Sequence, residues 1–525
     1  MNSILINNKK VSVNGNRTIL DAASELQIEI PTMCYLNGYE HNTTCMICVV
    51  HELKTDKLIP ACSVYAEDGM QIETDNEKVR NARKDTLDML LTEHVGDCEA
   101  TCQRVCPSHM NIPLMIRQIQ EERFDDAIVT IRKCEALPAV FGRVCSSVYE
   151  NGCIHKFYDT PISICRLKRF VADRDLSKEL PYLPEVKEKS GKKTAVVGAG
   201  AAGLTAVYFL VLAGHECDIY DKYPKPGGML KYGVPDEKLD KSVLDKEVKL
   251  ILGMGAKFYG EKALGKDILF EELREKYDAI VLTLGTFEPE LFSGSGIELT
   301  NKGVKVKKGS FETSIPGVFA GGSTIKKGRS AIRSASHGKA IAYTADQYLN
   351  NLPVTGEPQR FNSMLGRIRN DDLAEFIKEA EVYEQVEPGG GEVRGYTVEE
   401  AIREATRCFH CDCRKPNSCK LRNYCEEYSA SQSRFKVGER NNLEKVIQHE
   451  SVLYEPGKCI KCNICVQITK KAGEELGLTM INRGFEVRIA TPFNEPLREG
   501  LKKVAGECIE ACPTAALAWL NHEEE

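Results

Sequence analysis

Twenty-two cysteines in 525 residues constrain this chain more than any other feature, because they are bunched. Four lie between Cys34 and Cys62, seven between Cys98 and Cys165, five between Cys408 and Cys425, and five between Cys459 and Cys512; Cys217 stands alone. Thiols at such spacings make either a disulfide framework or a set of metal ligands. The opening Met1-Asn2-Ser3-Ile4-Leu5-Ile6 has no basic start and no apolar run of signal-peptide length. Reduced, metal-binding thiols in a soluble cytoplasmic protein are therefore expected. Apolar residues are 42% and charged residues 28% of the chain, enough to build cores and to exclude wholesale disorder. The net charge is −6 with no long basic stripe, which argues against nucleic acid as a main partner. The most apolar stretch, Thr194 to Gly214, is broken by glycines in a phosphate-loop pattern, so it reads as a buried βα unit and no membrane span is expected.

Punctuation and cysteine usage predict a multidomain α/β and α+β chain. Residues 1–80 begin with a hairpin pattern, Ser3–Ile6 and Lys10–Val13 about Asn7-Asn8-Lys9, with a further turn signal at Asn14-Gly15 and a helix from Thr18. Residues 81–180 read as a helical domain. Residues 190–352 alternate strand and helix signals, as one Rossmann-like domain does. Residues 353–400 read as a linker region, broken at Glu387-Pro-Gly-Gly-Gly391, and residues 401–525 as a C-terminal iron–sulfur domain.

Cys34, Cys45, Cys48 and Cys62 are spaced C-x10-C-x2-C-x13-C. A [2Fe–2S] cluster needs four thiolates on a loop and a returning strand; zinc loops usually show two close pairs, and here there is one. The ten-residue gap resembles the β-grasp ferredoxin domain that opens the large iron–sulfur subunit of respiratory complex I and of iron-only hydrogenases.

The next group is His94-x3-Cys98-x3-Cys102-x3-Cys106-Pro107, followed by Cys134, Cys145, Cys153 and Cys165. Seven cysteines fall one short of two [4Fe–4S] clusters, and His94 completes the count. Ile112-Pro113, Leu137–Cys145 and Pro161–Asp173 resemble the N-terminal cluster domain of the glutamate synthase small subunit, found also in dihydropyrimidine dehydrogenase and in the large subunit of NADH-dependent ferredoxin–NADP oxidoreductase. That resemblance implies one cluster on Cys98, Cys102 and Cys153 and another on Cys106 and Cys145. Tyr149 stands where the family has a cysteine, so the second cluster is expected to recruit Cys134 or Cys165 or to be only partly ligated.

Thr194–Val197 runs into Gly198-Ala-Gly200-Ala-Ala-Gly203, and Asp221 ends the following strand. Glycines for a tight turn and close diphosphate approach, a helix N-terminus and an acid for the ribose define a dinucleotide site. Pro226-Gly227-Gly228 through Pro235, and Ile315 through Gly321-Gly322, resemble flavin-contacting segments of the same family, which implies FAD. That family's NADPH domain lies between Gly285 and Ile315, where this chain has too few residues for one. Leu284 and Ser323 depart from the family's Thr and Asp.

Cys408, Cys411, Cys413 and Cys419 suit a [4Fe–4S] cluster or a zinc site, with Cys425 spare. Cys459-x2-Cys462-x2-Cys465 and Cys512-Pro513 resemble a bacterial ferredoxin that keeps one cluster. Thr469, Lys502 and Ala505 stand where ligands of the second would be, and Cys508 is left over. One [2Fe–2S], about four [4Fe–4S] clusters and one FAD are thus expected. No hydrolase motif occurs.

These features predict an electron-transfer subunit of an anaerobic oxidoreductase complex, with flavin-based electron bifurcation one chemistry open to it. It would join an NAD(P)H-oxidising partner, like the flavoprotein subunit of complex I, to ferredoxin, a hydrogenase or a formate dehydrogenase. The alternative is a self-sufficient NAD(P)H-dependent enzyme of glutamate-synthase small-subunit type, and a third reading is a scaffold with vestigial clusters.

Overall fold

The computed structural model describes residues 3–13, 16–40, 42–328, 330–435, 438 and 440–520; the turn signal at Asn14-Gly15 lies outside them. Two units emerge. The first gathers Met1–Glu99, Arg360–Lys378 and Cys411–Glu525, and the second Ala100–Gln359 and Glu379–His410.

In the first unit, the described residues form a five-stranded sheet in the order Lys9–Ser12, Ser3–Ile6, Gln71–Glu73, Val49–Glu52, Lys57–Pro60. Ser3–Ile6 and Gln71–Glu73 run parallel; the other neighbours are antiparallel. Asn7 and Asn8 both have positive φ (47° and 64°), which a two-residue hairpin turn of matching twist requires. Thr18 caps the helix Ile19–Glu25 through a reciprocal pair of bonds with Asp21, and Ile19 and Ala22 enter the core. The helix Glu77–Glu93 buries Leu87 and Leu91. Its Arg83 is also buried, and donates to the Tyr428 hydroxyl at 2.9 Å and to the carbonyls of Val49 and Thr74 at 3.0 and 2.9 Å. A charge so deep persists because both terminal guanidinium nitrogens are hydrogen-bonded.

The C-terminal part of this unit pairs Val452–Tyr454 with Leu517–Trp519, both antiparallel, beside the helices Ile464–Ala472 and Ala505–Ala511. One apolar core includes Cys34, Leu87, Cys419, Cys462 and Ile509, so loops far apart in sequence share a dry interior.

The second unit begins with short helices, of which Pro138–Val144 and Ile164–Leu176 cross closely at Gly142: a Cβ there would lie 2.7 Å from that of Arg169. A five-stranded parallel sheet follows, ordered Val318–Ala320, Ala279–Leu282, Lys193–Val197, Glu216–Tyr220, Lys257–Tyr259. The helix Ala201–Leu212 is apolar on nearly every side because it is buried, with Gly338 of Ala331–Leu349 against it; a Cβ on Gly338 would come within 2.1 Å of the Ala202 carbonyl oxygen. The apolar stretch 194–214 is thus a βα unit. Among the described residues no helix is long and apolar enough to cross a membrane.

Residues 353–400, expected as a linker, hold the helices Asn370–Ile377 and Gly391–Arg394 and the start of Val398–Ala405. The last is announced by a Thr397–Glu400 capping box. Its buried Glu404 accepts from the backbone N–H groups of Ser163 and Val386 at 2.8 and 2.9 Å and pairs with Arg407. Internal polar bonding joins buried Leu365, Phe376, Tyr396 and Ala401 in fixing this stretch.

Candidate functional site

Cys34, Cys45, Cys48 and Cys62 are all buried on the loops that leave and rejoin the first sheet. Met46 and Thr43 take positive φ (52° and 51°), which curls the loop about the thiols. The thiols pair off. A hydrogen bond from Cys45 holds the Cys34 thiol well below its ordinary range, while Cys45 is pushed up; Cys48 is pushed up by its bond with Cys62.

Cys459, Cys462, Cys465 and Cys512 line one small cavity. Lys461 and Asn463 have positive φ (56° and 70°), so the loop folds back on itself, and the Lys461 N–H donates to Cys459 Sγ at 3.4 Å. Cys508 lies outside that cavity and directs its thiol to the Cys465 carbonyl at 3.7 Å. Where a second ferredoxin cluster would need ligands, Thr469 Oγ1 instead accepts the Leu478 N–H at 3.0 Å and Lys502 pairs with Glu499 at 2.7 Å.

A second cavity of the first unit is lined by His94, Cys98, Cys413 and Cys419. This grouping differs from the expected one, in which the family resemblance put Cys98 with Cys102 and Cys153, and local density put Cys413 and Cys419 with Cys408 and Cys411. Backbone ties explain it. Val95 N–H donates to Gly457 at 2.9 Å, Cys98 N–H to Ser363 at 3.3 Å, and Cys413 N–H to Cys98 at 3.2 Å. Leu365 N–H donates to Asp97 at 2.7 Å. The segment after helix Glu77–Glu93 is thereby sewn to chain more than 260 residues later. Cys98 Sγ accepts from the Ser363 N–H at 3.4 Å and Cys419 Sγ from the Arg422 N–H at 3.5 Å. Such bonds stabilise sulfur in its charged form. Burial, with Lys458 nearby, pulls His94 down to about 3, so its imidazole is neutral and carries a free lone pair. Cys425 is buried and pushed up by burial, six residues past Cys419, which caps the helix Lys420–Glu427.

In the second unit, Cys106, Cys145 and Cys165 surround the buried pair Lys168–Glu135, whose Nζ···Oε2 distance is 3.0 Å. Lys168 interacts with all three thiols. A bond from Cys165 holds Cys145 below its ordinary range and pushes Cys165 up. Cys134 points elsewhere, toward the His109 carbonyl at 3.8 Å. Cys102 and Cys153 sit on neighbouring elements, since Gly152 packs against Val105, and Cys153 interacts with Arg407, the residue before Cys408. Cys408 belongs to this unit and Cys411 to the other. Cys217 lies in the sheet core.

The parallel sheet carries a cavity of about 410 Å³ beyond its strand ends. Of the residues singled out from sequence, Gly198, Gly200, Asp221, Gly228 and Gly322 line it. The remaining glycines serve packing. A Cβ on Gly203 would lie 1.8 Å from the Gly198 oxygen, on Gly227 2.8 Å from that of Lys231, and on Gly321 2.5 Å from the Ile341 side chain. Gly198 has φ +104° and its Cβ would meet the Thr283 oxygen at 2.2 Å, whereas nothing lies within 4 Å of a Cβ on Gly200. Room is left at Gly200, and there alone in the loop, for a group outside the protein to approach the helix N-terminus. Asp221 accepts from Ala199 N–H at 2.6 Å and Tyr223 N–H at 2.8 Å, so it also orders the loop. Thr283, which sequence reasoning passed over, lines the cavity and donates to the Gly198 oxygen at 2.9 Å.

Residues 1–77 match the 2Fe-2S iron-sulfur cluster binding domain family, residues 80–180 the family described as dihydropyrimidine dehydrogenase domain II, 4Fe-4S cluster, and residues 196–259 the NAD(P)-binding Rossmann-like domain family. The chain is 32% identical over 266 residues to the NADPH-Fe(3+) oxidoreductase subunit beta of Geobacter sulfurreducens, covering 50% of this chain and 37% of that one. It is 36% identical over 204 residues to the NAD-dependent dihydropyrimidine dehydrogenase subunit PreT of Salmonella typhimurium, covering 38% and 48%. It is 33% identical over 207 residues to the NADP(+)-dependent formate dehydrogenase subunit beta of Moorella thermoacetica, covering 35% and 29%. The matched stretch spans less than half the length of each relative. The chain thus carries a 2Fe–2S domain, a 4Fe–4S domain of the dihydropyrimidine-dehydrogenase kind and one NAD(P)-binding Rossmann-like domain, and its relatives are oxidoreductases or their subunits.

Proposed function

We propose that this chain is an electron-transfer subunit of an oxidoreductase complex, holding a [2Fe–2S] cluster on Cys34, Cys45, Cys48 and Cys62 and [4Fe–4S] clusters on the other thiol groups. Two of those groups are Cys459, Cys462, Cys465 with Cys512, and His94, Cys98, Cys413 with Cys419. The observation that carries this reading is the single apolar core that Cys34, Cys419 and Cys462 share. The groups also feel one another: on top of burial, Cys34 adds to the upward push on Cys462, and Cys512 to that on Cys419. Tunnelling weakens steeply with distance, so centres within one core act as a relay. Among the described residues no three His, Cys, Asp or Glu side chains are disposed to hold a single metal ion.

The dinucleotide in the 410 Å³ cavity is read as FAD, because both segments chosen from sequence, around Gly228 and around Gly322, reach its wall. A bound flavin supplies both hydride exchange and one-electron transfer. The protein's part is to seat the diphosphate at Gly200 and the N-terminus of Ala201–Leu212, to hold the loop through Asp221 and to keep water from the apolar wall formed by Leu230, Leu264 and Leu284. NAD(P)H is then oxidised by a partner such as a complex-I-like flavoprotein subunit, and a hydrogenase, a formate dehydrogenase or ferredoxin lies at the other end. The match to an NAD(P)-binding family favours a second reading, in which the chain accepts hydride from NAD(P)H itself. Iron, acid-labile sulfide and released flavin, measured on anaerobically purified protein, test the cofactor set. Mixing that protein with NAD(P)H decides between the readings: an unbleached flavin supports a partner subunit, and rapid bleaching overturns it.

A further inference from the structure

Tyr149 occupies a position that asks for an explanation. It is wholly buried on the short helix Val148–Asn151, and its hydroxyl has no nitrogen or oxygen partner among the described residues. What it faces is sulfur: Cys145 and Cys165 are the groups that act on it most strongly after burial itself. The bonds it makes run to those two thiols, and thiol sulfur is a weak partner, so the demand of a buried hydroxyl is poorly met there.

The surroundings form a built site. Cys106 closes the helix Thr101–Val105 and Cys145 closes Pro138–Val144, so both thiols extend from helix C-termini. The crossing at Gly142 lets Ile164–Leu176 approach until Cys165 Sγ is 3.4 Å from the Gly142 carbonyl. Three thiols, each from a different element, therefore act on the one Lys168 ammonium, and Cys145 and Cys165 bond to each other. A cubane of four irons needs a fourth donor. The other polar groups nearby are committed. Glu135 is bonded to Lys168 through both oxygens, at 3.2 and 3.0 Å. Glu150 accepts the Cys165 N–H at 2.9 Å, and Cys134 is turned to the His109 carbonyl. The Lys168 ammonium lies 5.5 Å from the Tyr149 ring centre, a cation placed to offset anionic ligands.

We propose that Cys106, Cys145 and Cys165 bind three irons of a [4Fe–4S] cluster and that the Tyr149 oxygen binds the fourth. This rests on the reading of the helical segment as a cluster domain. The cysteine absent at position 149 is then replaced twice over, by Cys165 from the adjoining helix and by the phenol oxygen. On binding, the O–H bond breaks, the proton leaves to solvent and a Tyr149–iron bond forms, with no change in electron count. Phenolate oxygen is an established donor to protein iron, as in haem proteins with a tyrosine ligand.

The test uses the full chain, purified anaerobically with its clusters. Resonance Raman spectra are taken of wild type and of wild type grown with ring-deuterated tyrosine. Iron is counted, and electron paramagnetic resonance spectra are recorded before and after mild oxidation, for wild type, Tyr149→Phe and Tyr149→Cys. Iron-bound tyrosinate bands that shift on labelling, and a three-iron signal on oxidation in Y149F but not in Y149C, are expected. Wild type with full iron and sulfide but no label-sensitive band overturns the proposal alone, whether or not Y149F folds. Absence of acid-labile sulfide from wild type overturns the cluster reading beneath it.

Discussion

The glycine loop of the parallel sheet offers a way to separate folding from cofactor binding with two single-methyl changes. At Gly198 a methyl has no place to go. The residue sits at φ +104°, and its Cβ would be 2.2 Å from the Thr283 oxygen and 2.6 Å from the Thr283 carbonyl carbon, both backbone of the neighbouring strand. Strained backbone costs about 1–3 kcal/mol, and the clash adds to it because a strand must move. A loss of at least about 3 kcal/mol is expected for Gly198→Ala, several degrees in the melting of the sheet-bearing unit. At Gly200 the opposite holds. Its φ is −82° and nothing lies within 4 Å of its Cβ. Alanine gains about 0.4–1 kcal/mol from a less flexible unfolded chain and loses a similar amount at a helix N-cap, so the net change is within about 1 kcal/mol. The added methyl nevertheless fills the gap through which a diphosphate reaches the helix N-terminus. Gly200→Ala is therefore expected to melt like wild type while losing at least about tenfold in dinucleotide affinity, roughly 1.4 kcal/mol. Thermal melts of apo protein and titration with the released cofactor measure the two effects. Wild-type affinity in G200A, or a wild-type melt in G198A, would refute the reasoning.

Three further outcomes are expected. Cys419→Ser lowers iron and sulfide by about one cluster and leaves flavin content unchanged, since Cys419 and the Gly200 cavity belong to different units; an unaltered iron count removes Cys419 from the ligands. Lys168→Met strips the buried Glu135 of its counter-charge and costs about 3–5 kcal/mol, read by denaturant unfolding, with Glu135 and Lys168 replaced together costing less. Burial raises Glu247 to about 7 against the pull of Arg132 and of the Ala139 and Val140 N–H groups. The native state thus holds a proton that the unfolded chain releases near pH 4.5, so this residue makes stability fall as pH rises from about 4.5 to 7, by on the order of 3 kcal/mol. Glu247→Gln is expected to flatten that slope, and an unchanged pH profile of melting counts against the assignment.

Sequence and structure divide the work here along a physical line. What is local was legible in the residues: the Asn7-Asn8 turn, the Thr18 cap, the loops carrying Cys45-x2-Cys48 and Cys459-x2-Cys462, and a glycine loop whose geometry is set by steric limits on a few adjacent residues. Which thiols stand together is not local. His94 and Cys98 meet Cys413 and Cys419 across more than 300 residues because backbone hydrogen bonds at Val95, Cys98 and Cys413 close that long loop. Cys165 reaches Cys145 only because Gly142 lets two helices touch, and Tyr149 acquires its meaning only once both thiols face it. Spacing along a chain fixes how far a thiol can reach, whereas burial and helix crossing decide what it reaches.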